Sequence, residues 1–229
     1  MELESITPAV WMLRFPVVNA YLVRVDQGFA TIDSGPLGSE GEILAAIDEL
    51  GSARGLEHIV LTHSHKDHAG SAAALVAATG AVVMAGAADA PVIAGRAPEP
   101  AAVITAEEQP FFDKIADVVP PAPPVEVDRV LHDGDDLGWD SPAVVLAIPG
   151  HTAGSIAIHL PTERVLFAGD AVASVGGRPI LGPFNMARQE AISAFKRLAA
   201  LDVAIACFGH GDPIVGDAKN ALRRAASQH

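Results

Sequence analysis

Short apolar runs alternate with helix-like patterns along the chain, which is typical of an α/β protein whose helices cover its sheets. In the first half the pattern predicts strands at 21–25, 29–33, 58–62 and 81–84, and helices at 39–50 and 69–79. In the second half it predicts strands at 144–148, 156–160, 165–168 and 203–208, and helices at 187–200 and 217–226. The predicted fold class is therefore α/β.

Capping residues define the ends of two predicted helices. Ser39 precedes the first helical pattern and Glu42 follows three residues later, which predicts a capping box. Gly80 ends the second pattern as a C-cap. The uncharged stretch 69–88 is long enough to cross a bilayer. Its alanine and glycine content instead predicts a helix followed by a strand.

A proline-rich segment separates the two halves. Residues 86–124 hold eight of the chain's 17 prolines, so long regular elements are not expected there. The same segment keeps apolar residues such as Phe111 and Phe112, which a plain linker would not need. We therefore predict one domain over 1–229 with an insertion at 85–125. The insertion is a lid over the active site, a homodimer contact, or an irregular surface connection.

Charge and cysteine content narrow the class of protein. Fifteen basic and 28 acidic residues give a net charge of −13, which disfavours a nucleic-acid partner because phosphates repel such a surface. The single cysteine, Cys207, rules out an internal disulfide and is predicted to pack in the core. No basic, apolar leader begins the chain. We expect a cytoplasmic protein that acts on a small molecule and has no membrane partner.

A dense run of metal-ligand side chains directly follows the strand predicted at 58–62. His63, His65, Asp67 and His68 fall within six positions of a Thr-His-Ser-His-Lys-Asp-His sequence. Imidazole and carboxylate are ordinary ligands of zinc and similar divalent metals, and a loop at a strand end can direct such side chains to one point. The segment therefore predicts a metal site.

Three more residues of the same kind follow strands of the second half. They are His151, Asp170 and His210, and each stands beside at least one glycine. A polar residue after a strand is usually a turn residue, but the carboxyl ends of strands are also where open α/β sheets place their sites. His159, in contrast, alternates with apolar neighbours and is predicted to be exposed on the opposite face of its strand.

This set of motifs resembles the metallo-β-lactamase fold superfamily, and within it the glyoxalase II-like hydrolases. The H-x-H-x-D-H run, the histidine of Gly-His-Thr, the aspartate of Gly-Asp and the final Gly-His-Gly agree in identity and order. The resemblance implies a four-layer αββα sandwich of two similar halves with the metals between them. It assigns His63, His65 and His151 to one metal, Asp67, His68 and His210 to a second, and Asp170 to both.

The resemblance also implies the chemistry. It indicates two divalent ions, zinc first with iron or manganese as alternatives, and a metal-bound hydroxide that cleaves an ester, thioester or lactone. Asp67 would pass a proton to the leaving group, so Asp67 and Asp170 are the catalytic candidates. Asp33 would support the site by orienting a ligating histidine. Its other interpretation is a capping residue in a turn.

Departures from known branches leave the substrate open. Tyr21 is the only tyrosine, so the phenol of the acyl-homoserine lactonases has no counterpart after Asp170, although a lactonase stays an alternative. The chain ends 19 residues after His210, too soon for the glutathione-binding extension of glyoxalase II. A second alternative is a persulfide dioxygenase with one iron on His63, His151 and Asp170. A third is a non-catalytic member.

The segment after Asp170 supplies the candidate substrate contacts. Arg178, Phe184 and Asn185 are expected to border the cleft. Arg178 could bind an anionic group because guanidinium pairs with carboxylate in a bidentate way. An ordinary surface arginine is the alternative.

Overall fold

The computed structural model describes residues 1–26, 28–115 and 118–229, apart from the side chain of Ile115. The chain divides into two compact units, Met1–Pro98 with Val119–Leu131, and Glu99–Val118 with His132–His229. The proline-rich segment 85–125 contributes to both units, and its residues 116 and 117 lie outside the described part. The assignment of 1–229 to one domain stays a prediction.

The first unit is built on a seven-stranded sheet whose strands follow one another in chain order. Its strands are β1 (Glu2–Thr7), β2 (Val10–Arg14), β3 (Asn19–Val25), β4 (Gly28–Ile32), β5 (Leu56–Leu61), β6 (Val82–Gly86) and β7 (Arg129–Leu131). Its helices are α1 (Glu40–Leu50), α2 (Lys66–Ala69), α3 (Ala72–Thr79) and α4 (Ala90–Ile93). Strands β1 to β4 pair antiparallel and β4 to β7 pair parallel.

Helices α1 and α3 cover the sheet of the first unit. Ile43 of α1 and Leu75 of α3 pack with Phe29, Ile59 and other buried residues in one apolar cluster. Strand β5 ends in the buried run Ile59–Leu61, as expected of a parallel strand inside a sheet. This core fixes the carboxyl ends of β4 and β5, where the first predicted ligands follow.

The predicted capping box is wrong. The Ser39 side chain makes no cap hydrogen bond to α1. The Ser39 backbone is helical, with φ −84° and ψ −10°, and not in the extended conformation that directs an N-cap oxygen to the first N–H groups of the helix. The Ser39 hydroxyl donates to the carbonyl of Pro36 (2.8 Å). Glu42 pairs with the N-terminal amino group of Met1. At the other end of α1, the Arg24 guanidinium supplies the positive charge by donating to the carbonyls of Leu50 and Gly51, both at 3.2 Å.

The helix predicted at 69–79 begins later in the structure, as α3 (Ala72–Thr79), and Ala69 is the last residue of α2. Gly70 and Ser71 separate α2 from α3, and a Cβ on Gly70 would lie 2.4 Å from the Leu37 backbone nitrogen. The Gly80 C-cap is confirmed, with φ 72° and its N–H bonded to the Val76 carbonyl. In the described part of the chain, no helix combines the length and apolar content that crossing a membrane requires.

The second unit contains a five-stranded sheet and a separate hairpin. The sheet has the order β14 (Ile214–Val215), β13 (Ile205–Cys207), β10 (Val165–Phe167), β9 (Ile156–Leu160) and β8 (Val144–Ala147). The hairpin pairs β11 (Val172–Val175) with β12 (Arg178–Leu181). The helices are α5 (Gln109–Ile115), α6 (Arg188–Ala199) and α7 (Ala218–Ala226). The predicted α/β class is confirmed.

Helices α6 and α7 bury the core of the second unit. Phe195 of α6 and Leu222 of α7 are fully buried, and burial of one such side chain is worth about 1.5–3 kcal/mol. Cys207 is also fully buried, and burial raises the pKa of its thiol. The exposed position predicted for His159 is wrong, because this residue is half-buried and burial lowers its pKa.

Candidate metal centre

The first ligand cluster lies in the loop between β5 and α2. His63 and His68 are buried, whereas His65 and Asp67 are partly exposed. His63 Nε2 lies 3.0 Å from His65 Nδ1, and the centroids of the His63 and His68 rings are 4.1 Å apart. Strand β5 and the short helix α2 thus concentrate the three imidazoles at one edge of the first unit.

Asp33 anchors this cluster from the end of β4. Its backbone is left-handed, with φ 61°, and its Oδ1 accepts the Thr62 N–H at 2.8 Å. Its Oδ2 lies 2.8 Å from His68 Nδ1. A carboxylate only accepts hydrogen bonds, so His68 carries its proton on Nδ1 and Nε2 is its basic nitrogen. That Asp33 supports a metal ligand in this way stays a prediction.

Thr62 links the Asp33 carboxylate to a second histidine, His63. Its hydroxyl donates to Asp33 Oδ2 at 2.9 Å and lies 2.9 Å from His63 Nδ1. Since a hydroxyl has one hydrogen, it accepts from a proton on His63 Nδ1, and Nε2 becomes the basic nitrogen of His63 as well. The sequence interpretation missed this role of Thr62. Its position between the apolar strand and the first histidine is not a distinctive signal.

Asp89 is a further missed residue of the first unit. It is buried, and its Oδ2 accepts the Ser64 N–H at 2.9 Å. This bond fixes the backbone between His63 and His65. Asp89 lies 21 residues after the motif, directly before α4, and no local pattern connects it with the histidines.

The second ligand cluster centres on Asp170, just after β10. Its Oδ2 lies 3.1 Å from His210 Nε2 and 3.7 Å from His151 Nε2. His151 follows β8 and His210 follows β13, so three separate loops of one sheet converge on this carboxylate. Asp170 and His151 are buried, whereas the His210 side chain is 32% exposed.

Backbone contacts hold these three loops together. The Ser174 N–H donates to the His210 carbonyl at 3.0 Å, and the Met186 N–H donates to the His151 carbonyl at 3.2 Å. Gly150 has φ 132°, and a Cβ there would overlap the Ala191 backbone nitrogen. The glycine before His151 is therefore required by close approach of α6 as well as by conformation.

Both clusters fit divalent metal ions by the chemistry of their donors. Each combines imidazole nitrogens with carboxylate oxygen, as zinc and related metals prefer. The 3.0 Å between His63 Nε2 and His65 Nδ1 requires a proton or a cation between the two nitrogens. Two nitrogens on one tetrahedral zinc lie about 3.3 Å apart, so the separation suits a shared metal.

The sequence of residues 13–210 matches the profile of the Metallo-beta-lactamase superfamily. The chain belongs to this superfamily. It is 30% identical to the uncharacterized protein YobT of Bacillus subtilis over 88% of both chains. It is 36% identical to the hydroxyacylglutathione hydrolase of Rhodobacter capsulatus over 68% of this chain, and it spans about half of that enzyme's length, 48%.

Solved structures of the metallo-β-lactamase superfamily share the fold. TTHA1623 in a di-iron-bound form is 27% identical, with a TM-score of 0.68 over 93% of this chain and 96% of that one. A metallo-β-lactamase family protein of Thermus thermophilus is 24% identical, with a TM-score of 0.70 over 98% and 80%. The predicted superfamily and its glyoxalase II-like relatives are confirmed, and the chain is a metallo-hydrolase of this superfamily.

The three predicted substrate contacts lie at different depths of this metallo-hydrolase. Arg178 is exposed on β12, opposite Val175. Asn185 is buried, and its Nδ2 donates to the Gly182 carbonyl at 2.6 Å, so its amide closes a turn. Phe184 is partly exposed and stacks on Phe111. Contact of any of them with a substrate stays a prediction.

Proposed function

We propose that this metallo-hydrolase cleaves an ester, thioester or lactone with two divalent ions held by the two clusters together. The observation that carries the proposal is the position of Asp170, whose one carboxylate oxygen faces two imidazoles from separate loops. A residue in such a position can contact two cations. The proposed bridging role of Asp170 rests on this geometry and on membership of the superfamily.

The proposed ligands keep the assignment that the resemblance implies. His63, His65 and His151 hold one ion, Asp67, His68 and His210 hold the other, and Asp170 contacts both. Zinc is proposed first because every donor is nitrogen or oxygen and the one cysteine is buried in the core. Iron and manganese accept the same donors, and the related TTHA1623 is known in a di-iron form.

When bound, the ions would polarise the substrate carbonyl and lower the pKa of a water molecule. The protein's own contribution is orientation. Asp33 keeps protons on Nδ1 of His68 and, through Thr62, of His63, so that both rings present Nε2. Asp67 is partly exposed and can deliver a proton to the leaving group.

A thioester is the first bond to test. The hydroxyacylglutathione hydrolase of Rhodobacter capsulatus is 36% identical to this chain, and its name denotes cleavage of an acylated glutathione, which is a thioester. The chain spans about half of such an enzyme, so no glutathione contact is proposed. The proposal includes a small-molecule substrate. Four points stay predictions: the homodimer contact, the cytoplasmic location, and the absence of a nucleic-acid and of a membrane partner.

Elemental analysis combined with a substrate panel tests the proposal. We expect two divalent ions per chain and turnover of at least one thioester, lactone or aryl ester. One iron per chain, with oxygen consumed on a persulfide, would replace the hydrolase by a dioxygenase. Full metal content without turnover of any panel member would contradict the proposed reaction.

A further inference from the structure

Three phenylalanines of the second unit form a cluster, here called the aromatic wall: Phe111, Phe112 and Phe184. The Phe184 ring stacks on Phe111, with centroids 5.6 Å apart and planes inclined by 21°. Phe112 meets Phe184 edge-on at 5.4 Å. Although it takes part in this stack, Phe111 is 53% exposed, so the wall presents aromatic surface to solvent.

The aromatic wall borders the second ligand cluster. Gly182 lies so close to the Asp170 carbonyl that a Cβ on it would overlap the oxygen. The Met186 N–H donates to the His151 carbonyl at 3.2 Å. Phe184 is two residues from each of these contacts, a span of at most about 7 Å of extended chain. The backbone of Phe184 therefore lies close to the loops that carry Asp170 and His151.

The backbone of Phe184 is held in an uncommon conformation. Its φ is 61°, in the left-handed region that bulky residues rarely adopt unless their surroundings enforce it. The Phe184 N–H donates to Glu108 Oε1 at 3.2 Å, and Glu108 Oε2 accepts the Thr105 N–H at 2.9 Å. The Val103 N–H donates to the Asn185 carbonyl at 3.0 Å. The proline-rich segment thus holds the backbone at Phe184 and Asn185 by two contacts, the Glu108 carboxylate and the Val103 N–H.

Charge at the wall favours an apolar ligand over an anionic one. Glu108 is engaged by two backbone N–H groups, and the nearby Arg188 faces it at 3.9 Å. The positive charge of Arg188 is therefore partly offset by its neighbour. Aromatic rings supply apolar contact area and stacking, but no charge complement for a carboxylate or phosphate.

We propose that the aromatic wall binds an aryl or medium-length alkyl group of the substrate. This inference rests on the proposed hydrolysis of an ester or thioester and names the class of substrate for it. Glu108 is a positioning residue, because it acts on the substrate through Phe184. The apolar group belongs either to the acyl part or to the leaving group, and the test below separates the two.

The test uses the metal-loaded protein and two thioester series. One series varies the acyl group from acetyl to phenylacetyl on a fixed small thiol, and the other varies the thiol from ethyl to benzyl on a fixed acetyl group. We expect Phe111→Ala to raise KM about 10-fold for the large member of one series, and by clearly less for the acetyl ethyl thioester, whose groups are too small to fill the wall. Phe111→Tyr keeps the ring and should keep the preference.

Two further variants complete the design. Val215→Ala removes another exposed apolar side chain of the same unit, on β14, and should change neither series. Glu108→Ala removes the acceptor for the Phe184 N–H and should raise KM for the same large thioester. Glu108→Gln keeps a side-chain oxygen that can accept this bond, so its KM should be close to that of the wild type. Circular dichroism and thermal midpoints show that each variant is folded.

Failure of this inference can be told apart from failure of the proposed function. If the wild type cleaves thioesters and Phe111→Ala keeps the full preference for large groups, the aromatic wall is not the binding surface and the hydrolase proposal stands. If the wild type cleaves no thioester, lactone or aryl ester, the hydrolase proposal fails, and calorimetry with a benzyl thioether then tests whether the aromatic wall binds an apolar group. Equal binding by wild type and Phe111→Ala would then overturn the inference.

Discussion

The two ligand clusters are built in opposite ways. In the first unit, four ligand candidates come from one continuous segment, and Asp33 and Thr62 orient two of them by hydrogen bonds. In the second unit, three candidates come from three loops, and Asp170 itself faces both histidines. Asp67, the carboxylate within the first cluster, has its Oδ2 3.6 Å from His68 Nε2. The aspartate that orients the first cluster is Asp33, which contacts His68 at Nδ1, whereas Asp170 of the second cluster lies near Nε2 of both of its histidines.

This difference separates two uses of an aspartate. Asp33 contacts His68 at Nδ1 directly and His63 at Nδ1 through Thr62, and therefore sets which nitrogen of each ring can bind a metal. Asp170 lies near Nε2 of its histidines, the side that a metal would occupy. Loss of Asp33 should weaken binding indirectly, and loss of Asp170 should remove a ligand.

The largest expected effect is that of Asp170→Ala. If Asp170 contacts both ions, this variant should lower turnover by more than about 100-fold, beyond the range for residues that only orient ligands. Metal content per chain should fall in parallel, as measured by elemental analysis. Asp140→Ala, which removes an exposed aspartate of the same unit, is the matched control. Full activity of Asp170→Ala with one ion fewer would contradict the bridging role.

The sequence was informative where ligands are contiguous or follow strands. The H-x-H-x-D-H segment could be recognised directly, and Asp33, His151, Asp170 and His210 were found because each follows an apolar run. Thr62 was missed because a threonine at a strand end has no distinctive pattern. Asp89 was missed because the folded chain alone brings its carboxylate to the Ser64 N–H.

The strands and helices, too, could be predicted from the sequence only in part. The buried strands β3 to β6 could be predicted because continuous apolar runs mark them, whereas the exposed strand β1 and the hairpin of β11 and β12 were not predicted. Most residues of β1 are polar or charged, so its place at the sheet edge depends on pairing with β2 and not on its own apolar content. Helix α5, seven residues long, lies in the proline-rich segment, where only long regular elements were not expected and no helix was predicted.

Asp33→Asn is the next test of the comparison. Asparagine tolerates the left-handed backbone and can still accept the Thr62 N–H. Its amide hydrogens, however, would face His68 Nδ1 and would favour the tautomer with the proton on Nε2, which cannot bind a metal. We expect a loss of about 10- to 100-fold in metal affinity, measured by competition with a chelator.

Variants of Thr62 are the control for the hydrogen bonds that link Asp33 to His63. Thr62→Val keeps the shape of the side chain but removes the hydroxyl between Asp33 and His63, so it should reduce metal affinity less than Asp33→Asn does. Thr62→Ser restores a hydroxyl and should recover most of the loss. An Asp33→Asn protein with wild-type metal affinity would show that the first cluster does not depend on the tautomer of its histidines.

The smallest expected effect is on stability in acid. Its test compares two histidines that lie outside the ligand clusters, one in each unit. Burial lowers the pKa of His58 in the first unit and of His159 in the second below the ordinary value of 6.5. A lowered histidine pKa means that the unfolded chain binds the proton more readily, so stability is lost as the pH falls below about 6.5. His159→Gln should therefore reduce the drop in thermal midpoint between about pH 7.5 and about pH 5.5. If His159→Gln leaves the drop unchanged while His58→Gln reduces it, His58 and not His159 contributes to the loss of stability in acid.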